Sequence, residues 1–249
     1  MYTFLCYLFK RHKIAPENAL ERFADASRNA TAVRALHNRF AGKRCVIIGG
    51  APSLKQLNLA SLKNEYTFTV GRGYRLKENG LAHSSFHVLS DGAGYTEFQS
   101  EIDWTFSDTY FYAACLPIES RSNRLRFSYY RRPLMTDGFF QTDLTRPLYR
   151  GHTVIAHAVQ IAYFLGFRDF YFIGVDLDFK QGAGHAYGSS AGEQARQQTL
   201  SVRQEAKMRR ALRQACRFLK RRGCRVFNAS PAGSMDFMER VSFDEVFHE

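Results

Sequence analysis

Three short segments of the sequence contain residue types that can bind a phosphorylated ligand and move a proton. The first is the glycine-rich turn Gly49-Gly50-Ala51-Pro52-Ser53-Leu54. Two glycines let the backbone approach a ligand closely, and a proline suits the first turn of a helix. Ser53 adds a hydroxyl, and a helix N-terminus offers N–H groups to a phosphate. Because the spacing fits neither a Walker A loop nor GxGxxG, a nucleotide site and a merely tight strand–helix turn both stay open.

The second segment, QGAGHAYG, carries His185 in a loop without apolar periodicity. An imidazole with the ordinary pKa of about 6.5 can take a proton from a hydroxyl near neutral pH. We therefore interpret His185 as a catalytic base, with a ligand-orienting or purely structural histidine as the alternative. Four histidines in helix or strand surroundings are expected to be structural, namely His83, His87, His152 and His157.

The third segment is an acidic turn, Val175-Asp176-Leu177-Asp178, that directly follows an apolar strand. Two aspartates separated by one residue resemble the DxD metal motif of many glycosyltransferases. Carboxylates in this position can also contact a ribose or stabilise the turn. We favour ribose contact or turn stabilisation by Asp176 and Asp178 over metal ligation, and we assign no metal ligands.

Further candidates follow from their places near the ends of predicted strands or in basic clusters. Asp91 lies at the end of the third strand, and Gly71 and Arg72 follow the second. Tyrosine hydroxyls and guanidinium groups can stabilise the charge of a departing nucleotide. The candidates for that role are Tyr129, Tyr130, Arg131 and Arg132, with a solvated charged edge as the alternative.

The elements that must position these residues alternate between helix and strand. Apolar runs predict strands at Arg44–Ile48, Tyr66–Val70, Ser85–Ser90, Asp169–Gly174 and Cys224–Asn228, and helical periodicity predicts helices at Ala15–Phe40, Thr153–Phe167 and Glu193–Arg222. One further helix is expected between the glycine turn and Ser61–Lys63. This order predicts a mostly parallel sheet with helices on both faces, whose ligands collect at the carboxyl ends of the strands. Residues 1–41 form a helical lead-in, and 42–249 a single domain in which 105–148 contains a strand and a small lid or insertion.

Composition and charge limit the classes of binding partner that fit this chain. The chain has 249 residues and a net charge of +12, which favours anionic ligands and surfaces. Five cysteines without CxxC spacing favour a reducing cytoplasm and no structural zinc. The aromatic start Met1–Phe9, followed by a basic cluster, could rest in a membrane interface or form a tail. The basic stretch Arg203–Arg225 could lie on anionic lipid or be an ordinary solvated helix, and nucleic acid is the least favoured partner.

Four blocks of the sequence resemble a known group of enzymes. They are VIIGGAPSLKQLNLASL, HAVQIAYFLGFRDFYFIGVDLDF, GHAYG and FLKRRGCRVFNASP, in order between Lys43 and Phe247. They are similar to the bacterial sialyltransferases that act on lipooligosaccharides. They are at least as similar to the related family of flagellin nonulosonate transferases and archaeal 6-hydroxymethylpterin diphosphokinases.

The resemblance implies a Rossmann-like, GT-A-like domain and assigns roles by position. Gly49, Gly50, Ala51 and Ser53 would hold the nucleotide of the donor, and His185 would be the base. The sequence departs from the sialyltransferases where their GNGPSL asparagine is Gly50 and where an asparagine near the end of the second strand is Gly71. These departures leave the identity of the nucleotide open.

The expected function is transfer of a sugar from a nucleotide donor to a bacterial surface glycan, without a metal and with inversion. The donor would be a CMP-activated ulosonic acid such as sialic acid or Kdo. The expected location is the cytoplasm, at most peripheral on the inner face of the membrane. The alternatives are a 6-hydroxymethylpterin-type diphosphokinase, which would need ATP and Mg²⁺, and a non-enzymatic nucleotide-binding module in a glycan-assembly complex.

Overall fold

A computed structural model describes residues 17–130, 139–177, 184–192, 194–195 and 202–248, and only the backbone of 17–23 and of 202. The strands in these ranges are β1 (Arg44–Ile48), β2 (Tyr66–Val70), β3 (Ser84–Leu89), β4 (Ser107–Ala113), β5 (Arg124–Phe127), β6 (Asp169–Ile173), β7 (Arg225–Asn228) and β8 (Glu239–Arg240). The α-helices are α1 (Glu17–Ala35), α2 (Gly92–Phe98), α3 (Val154–Leu165), α4 (Val202–Arg221) and α5 (Phe243–Val246). Short 3₁₀ helices lie at Pro52–Gln56, Leu59–Asn64, Gly73–Asn79 and Gln99–Glu101.

The described strands form one sheet in the order β5-β4-β3-β2-β1-β6-β7-β8, and every pair in it is parallel. The central strands are buried on both sides, as a sheet covered by helices requires. In β1, for example, Ile47 pairs with Phe68 of β2 and with Phe172 of β6, and all three are fully buried. The chain proceeds outward from β1 to β5 and then returns to the other side of β1. The point where the strand order reverses therefore lies between β1 and β6.

The two faces of the sheet are covered by different elements, because successive strand residues point to opposite sides. On one face lies α3, ten of whose twelve residues are buried. Phe86 of β3 packs near Phe167, just beyond this helix. On the other face, His87 lies near Tyr74 of a 3₁₀ helix, and Tyr171 contacts Phe247 beyond α5. The predicted fold class, an α/β protein with a parallel Rossmann-like sheet, is confirmed.

Two expectations about the elements are wrong. The single helix expected after the glycine turn is a pair of 3₁₀ helices, because the Asn58 side chain accepts a hydrogen bond from the Ala60 N–H and starts the second one. The stretch 105–148 contributes two strands to the sheet, β4 and β5, where one was expected. None of the helices in the described part of the chain combines the length and apolarity needed to cross a bilayer.

Candidate functional site

A cleft of about 680 Å³ opens at the carboxyl ends of the strands, where β1 and β6 diverge into their loops. In a parallel α/β sheet this reversal point is the usual place for a ligand. The cleft is lined by residues that follow four different strands: Gly49–Pro52 after β1, Gly71 and Arg72 at the end of β2, Ser90–Gly92 after β3 and Gly174–Leu177 after β6. Predicted residues from distant parts of the sequence therefore meet in one cavity.

The glycine turn and the acidic turn are locked together through their backbones. The Gly49 N–H donates to the Ile173 carbonyl at 2.9 Å, and the Ala51 N–H donates to the Gly174 carbonyl at 3.0 Å. A Cβ atom on Gly49 would lie 2.1 Å from the Gly174 carbonyl oxygen. Gly49 is therefore required for the packing of the two turns, in addition to any role toward a ligand.

The hydroxyl of Ser53 is used inside the protein. The side chain is buried, and its Oγ donates to Oδ1 of Asp176 at 2.8 Å. The residue also lies in a 3₁₀ helix of five residues, whose dipole is small because it aligns so few peptides. Ser53 therefore orients the carboxylate of Asp176, and a phosphate site at this turn, which would have to use backbone N–H groups, stays a prediction.

His185 lies directly against the glycine turn. Its Nδ1 is 3.3 Å from the Gly50 carbonyl oxygen, which also accepts the Ala186 N–H at 2.9 Å. The imidazole stacks on the Tyr187 ring with a centroid distance of 5.0 Å. Since a carbonyl oxygen only accepts, Nδ1 carries the proton of the neutral ring and Nε2 is its basic nitrogen. This arrangement can orient a general base at the edge of the cleft.

Gly50 has a steric reason to lack a side chain. A Cβ atom at this position would lie 2.7 Å from Nδ1 of His185 and 3.1 Å from the Tyr187 hydroxyl. The His185 and Tyr187 side chains therefore occupy the space that a side chain at position 50 would need.

The acidic turn is braced from several sides. The carbonyl of Asp176 accepts the Ser234 N–H at 3.2 Å, and Leu177 adopts a positive φ of 50°. Arg209 of α4 donates to the carbonyls of Ser234 and Leu177. Asp178 lies outside the described residues. Within the ranges that the structure describes, no three His, Cys, Asp or Glu side chains converge as a metal site.

The other predicted residues are distributed around the same cleft. Gly71 and Arg72 line it, and the Arg72 guanidinium donates to Glu101 at 2.7 Å. Asp91 also lines it, and its carboxylate caps α2 by accepting the Ala93 N–H at 3.2 Å.

The two adjacent tyrosines occupy different environments. Tyr129 lines the cleft, whereas Tyr130 does not line it and lies near the Tyr149 ring, with a centroid distance of 5.6 Å. A role of Tyr130 toward the ligand stays a prediction. Arg131 and Arg132 lie outside the described residues.

The start of α3 was not predicted as part of the site, yet its N-cap Thr153 lines the cleft together with Arg150 and His152, which precede it. Thr153 is the N-cap, its side chain accepts the Ile155 N–H, and no acidic residue lies in the first turn. A helix start with a nearby arginine attracts anions. The pattern of a threonine before an apolar helical run was available in the sequence as a capping signal.

His157 also lies closer to the site than expected. The side chain is buried at the cleft, with Nδ1 2.9 Å from the Ser90 hydroxyl and the ring 4.7 Å from that of Tyr129. Burial, with a smaller contribution from Arg150, lowers the pKa of His157 to about 3. The residue is therefore neutral at physiological pH and cannot supply positive charge to a ligand.

Comparison with known sequences identifies the family. Residues 17–182 match the profile of the 6-hydroxymethylpterin diphosphokinase MptE-like family. The chain belongs to this MptE-like family. The membership confirms the superfamily predicted from the sequence blocks. No curated protein matches the MptE-like chain.

Two solved structures align with the chain at low sequence identity, and the first shows the fold. The Maf glycosyltransferase from Magnetospirillum magneticum AMB-1 aligns with a TM-score of 0.51 and 16% identity, over 87% of the MptE-like chain and 38% of its own. The MptE-like chain thus spans well under half the length of that enzyme. The sialyltransferase CstII from Campylobacter jejuni, in complex with cytidine-5′-monophosphate, aligns with a TM-score of 0.46 and 13% identity, over 80% and 85% of the two chains.

Proposed function

We propose that this MptE-like protein is a glycosyltransferase that moves a sugar from a nucleotide donor to a hydroxyl of an acceptor, with His185 as the general base. The observation that carries the proposal is the position of the imidazole. It lies against Gly50, at the point where the strand order reverses, on a cleft large enough for a nucleotide sugar. The fold shared with the Maf glycosyltransferase is compatible with this activity.

The proposed reaction is a single displacement. Nε2 of His185 takes the proton of the acceptor hydroxyl while that oxygen forms a bond to the anomeric carbon of the donor. The bond from the anomeric carbon to the nucleotide phosphate breaks on the opposite side, so the configuration inverts. The phosphate keeps the bonding electron pair and leaves with the nucleotide. Positive charge at Arg150 and the α3 N-terminus would stabilise this anion without a metal ion.

The residues that line the cleft also support a particular class of sugar donor, a CMP-activated ulosonic acid. Asp176, held by Ser53, is suited to accept hydrogen bonds from ribose hydroxyls. The α3 N-terminus and Arg150 favour a donor with an anionic leaving group. A CMP-activated ulosonic acid is such a donor, because its leaving group is a nucleoside monophosphate. The proposed acceptor is a bacterial surface glycan, reached at the inner face of the cytoplasmic membrane.

The test is replacement of His185. The H185A variant should lose transfer, by at least about a hundredfold, because general base catalysis contributes roughly 10²–10⁴-fold. It should still bind CMP, since the rest of the cleft is intact. H83A is the matched control: His83 pairs with Asp108 at the amino end of the sheet and should transfer normally. Full transfer by H185A would refute the assignment of the base.

The family match favours a second candidate, a diphosphokinase of the 6-hydroxymethylpterin type. Such an enzyme would bind ATP with Mg²⁺, for which Asp176 and Asp178 are the proposed ligands. A thermal-shift panel of CMP, CDP, UDP, GDP and ATP, each with and without Mg²⁺, separates the two activities, because a ligand that binds the native state raises Tm. A metal-independent response to CMP supports the glycosyltransferase, and a response limited to ATP with Mg²⁺ supports the diphosphokinase.

A further inference from the structure

A fully buried histidine lies beneath one wall of the cleft. His87 of β3 pairs with Thr69 of β2 in the centre of the sheet and has no exposed surface. Its Nε2 is 2.9 Å from the Gly71 carbonyl oxygen, and its Nδ1 is 2.7 Å from Thr69 Oγ1. His87 does not line the cleft itself, but Gly71 does. The imidazole thus connects the sheet interior to a residue of the site.

The hydrogen-bond partners fix the protonation of this ring. A carbonyl oxygen only accepts, so Nε2 carries the proton and donates it to Gly71. Nδ1 then accepts from the Thr69 hydroxyl. Burial lowers the pKa of His87 to about 4, so this neutral form is the one present at physiological pH. One donor and one acceptor are available on the neutral ring, and both are used.

These bonds fix the orientation of one peptide at the cleft. Gly71 has a positive φ of 58°, and a Cβ atom there would meet nothing within 4 Å, so its backbone borders open space. Its carbonyl points inward to His87. Because the peptide bond is trans and planar, the N–H of Arg72 points the opposite way, away from the sheet. The Arg72 side chain is held separately by Glu101.

We propose that His87 is a positioning residue of the donor site, which holds the Gly71–Arg72 peptide in the orientation that a nucleotide sugar meets. The inference rests on the proposed function, since it names a support for the same site. An aliphatic side chain would pack beside Tyr74, Phe106 and Tyr110 without the cost of burying polar atoms. A histidine at this position instead donates a hydrogen bond to the Gly71 carbonyl in the wall of the cleft.

Two substitutions at His87 separate positioning from simple core packing. In H87Q the terminal amide can take the place of Nε2 and still donate to Gly71. In H87N the shorter amide takes the place of Nδ1, so the bond to Gly71 is lost. We expect H87N to weaken CMP binding in calorimetry by about tenfold, the usual effect of one lost hydrogen bond in a buried setting, and H87Q by less than about threefold.

Hydrogen exchange reports the same peptide without any ligand. In H87N the amides of residues 70–73 should exchange about tenfold faster than in the wild type, and in H87Q they should exchange at nearly the wild-type rate. If H87N folds poorly, T69V and T69S provide the comparison. T69V removes the hydroxyl that fixes the ring and should accelerate exchange in this peptide, whereas T69S retains that hydroxyl and should not.

The outcomes distinguish this inference from the proposed function. Wild-type protein that binds none of the five nucleotides would refute the donor site and the inference with it. Suppose the wild-type protein binds CMP, and H87N and H87Q have equal CMP affinities and equal amide exchange rates at residues 70–73. This result would refute the positioning role of His87 alone. A fall in Tm that is the same in both variants, with unchanged binding, would likewise assign His87 to core packing.

Discussion

Acid should unfold this protein through two buried histidines, His87 and His157. Burial lowers their pKa values to about 4 and about 3, against about 6.5 in an unfolded chain. As the pH falls, the unfolded chain binds these two protons first. The stability they contribute is therefore fully present above pH 6.5 and is lost as the pH falls toward 4.

The magnitude follows from the linkage between proton binding and folding. Each histidine changes the free energy of unfolding by about 1.4 kcal/mol per pH unit, so the pair gives about 2.7 kcal/mol per unit between pH 6.5 and 4. Over two units this is roughly 5 kcal/mol, a large share of the 5–15 kcal/mol typical of a domain. The carboxylate of Asp103 contributes only at lower pH, because hydrogen bonds from Lys77 and Thr105 lower its pKa to about 2.

Urea unfolding at pH 7.5, 6.5, 5.5 and 4.5 measures this slope. In the H87Q variant, the slope of the free energy of unfolding against pH should be smaller than in the wild type by about 1.4 kcal/mol per pH unit, because one buried imidazole is gone. The same decrease is expected in H157Q. A wild-type free energy of unfolding that stays constant from pH 6.5 to 4.5 would refute the buried, neutral state of both residues.

Three further predictions concern the turns of the site. G50A should reduce kcat about a hundredfold, because the added Cβ would lie 2.7 Å from Nδ1 of His185 and displace the base; wild-type kcat would contradict this. S53A should lower the free energy of unfolding in urea by about 1 kcal/mol, because it removes the hydrogen bond from the Ser53 hydroxyl to the Asp176 carboxylate; unchanged stability would show that this bond contributes nothing. G174A should destabilise the fold by several kcal/mol, because Gly174 has a φ of +61° and a Cβ there would lie 2.5 Å from the buried Leu54 side chain. A Tm within about 2 °C of the wild-type value would contradict this prediction.

Local sequence patterns were sufficient to predict most of the sheet. The strand bounds of β1 and β2 agree with the apolar runs Arg44–Ile48 and Tyr66–Val70, and β6 differs only at its last residue. These runs are short and rich in β-branched or aromatic residues, so they have few alternatives to a buried strand. The alternation with helices then implied the parallel arrangement. β8 has only two residues and gave no such signal.

The candidate site was predictable as a set of residues but not as a geometry. His185, the glycine turn and Asp176 could be selected because each can bind a ligand or move a proton and lies outside the apolar periodic runs. Their mutual contacts join positions that are 123 and 135 residues apart. No local pattern reports such distances, so the use of the Ser53 hydroxyl inside the protein could not be foreseen.

The sequence by itself therefore determined the elements, the fold class and the chemical groups near the carboxyl ends of the strands, because each depends on spacing along the chain. Only the tertiary structure decided how those groups meet. It showed that Gly50 lacks a side chain because the His185 imidazole occupies that space, and that His87 and His157 are neutral because the packed sheet and α3 exclude water from them. Steric fit and burial arise between distant segments, and they exist only once the chain has folded.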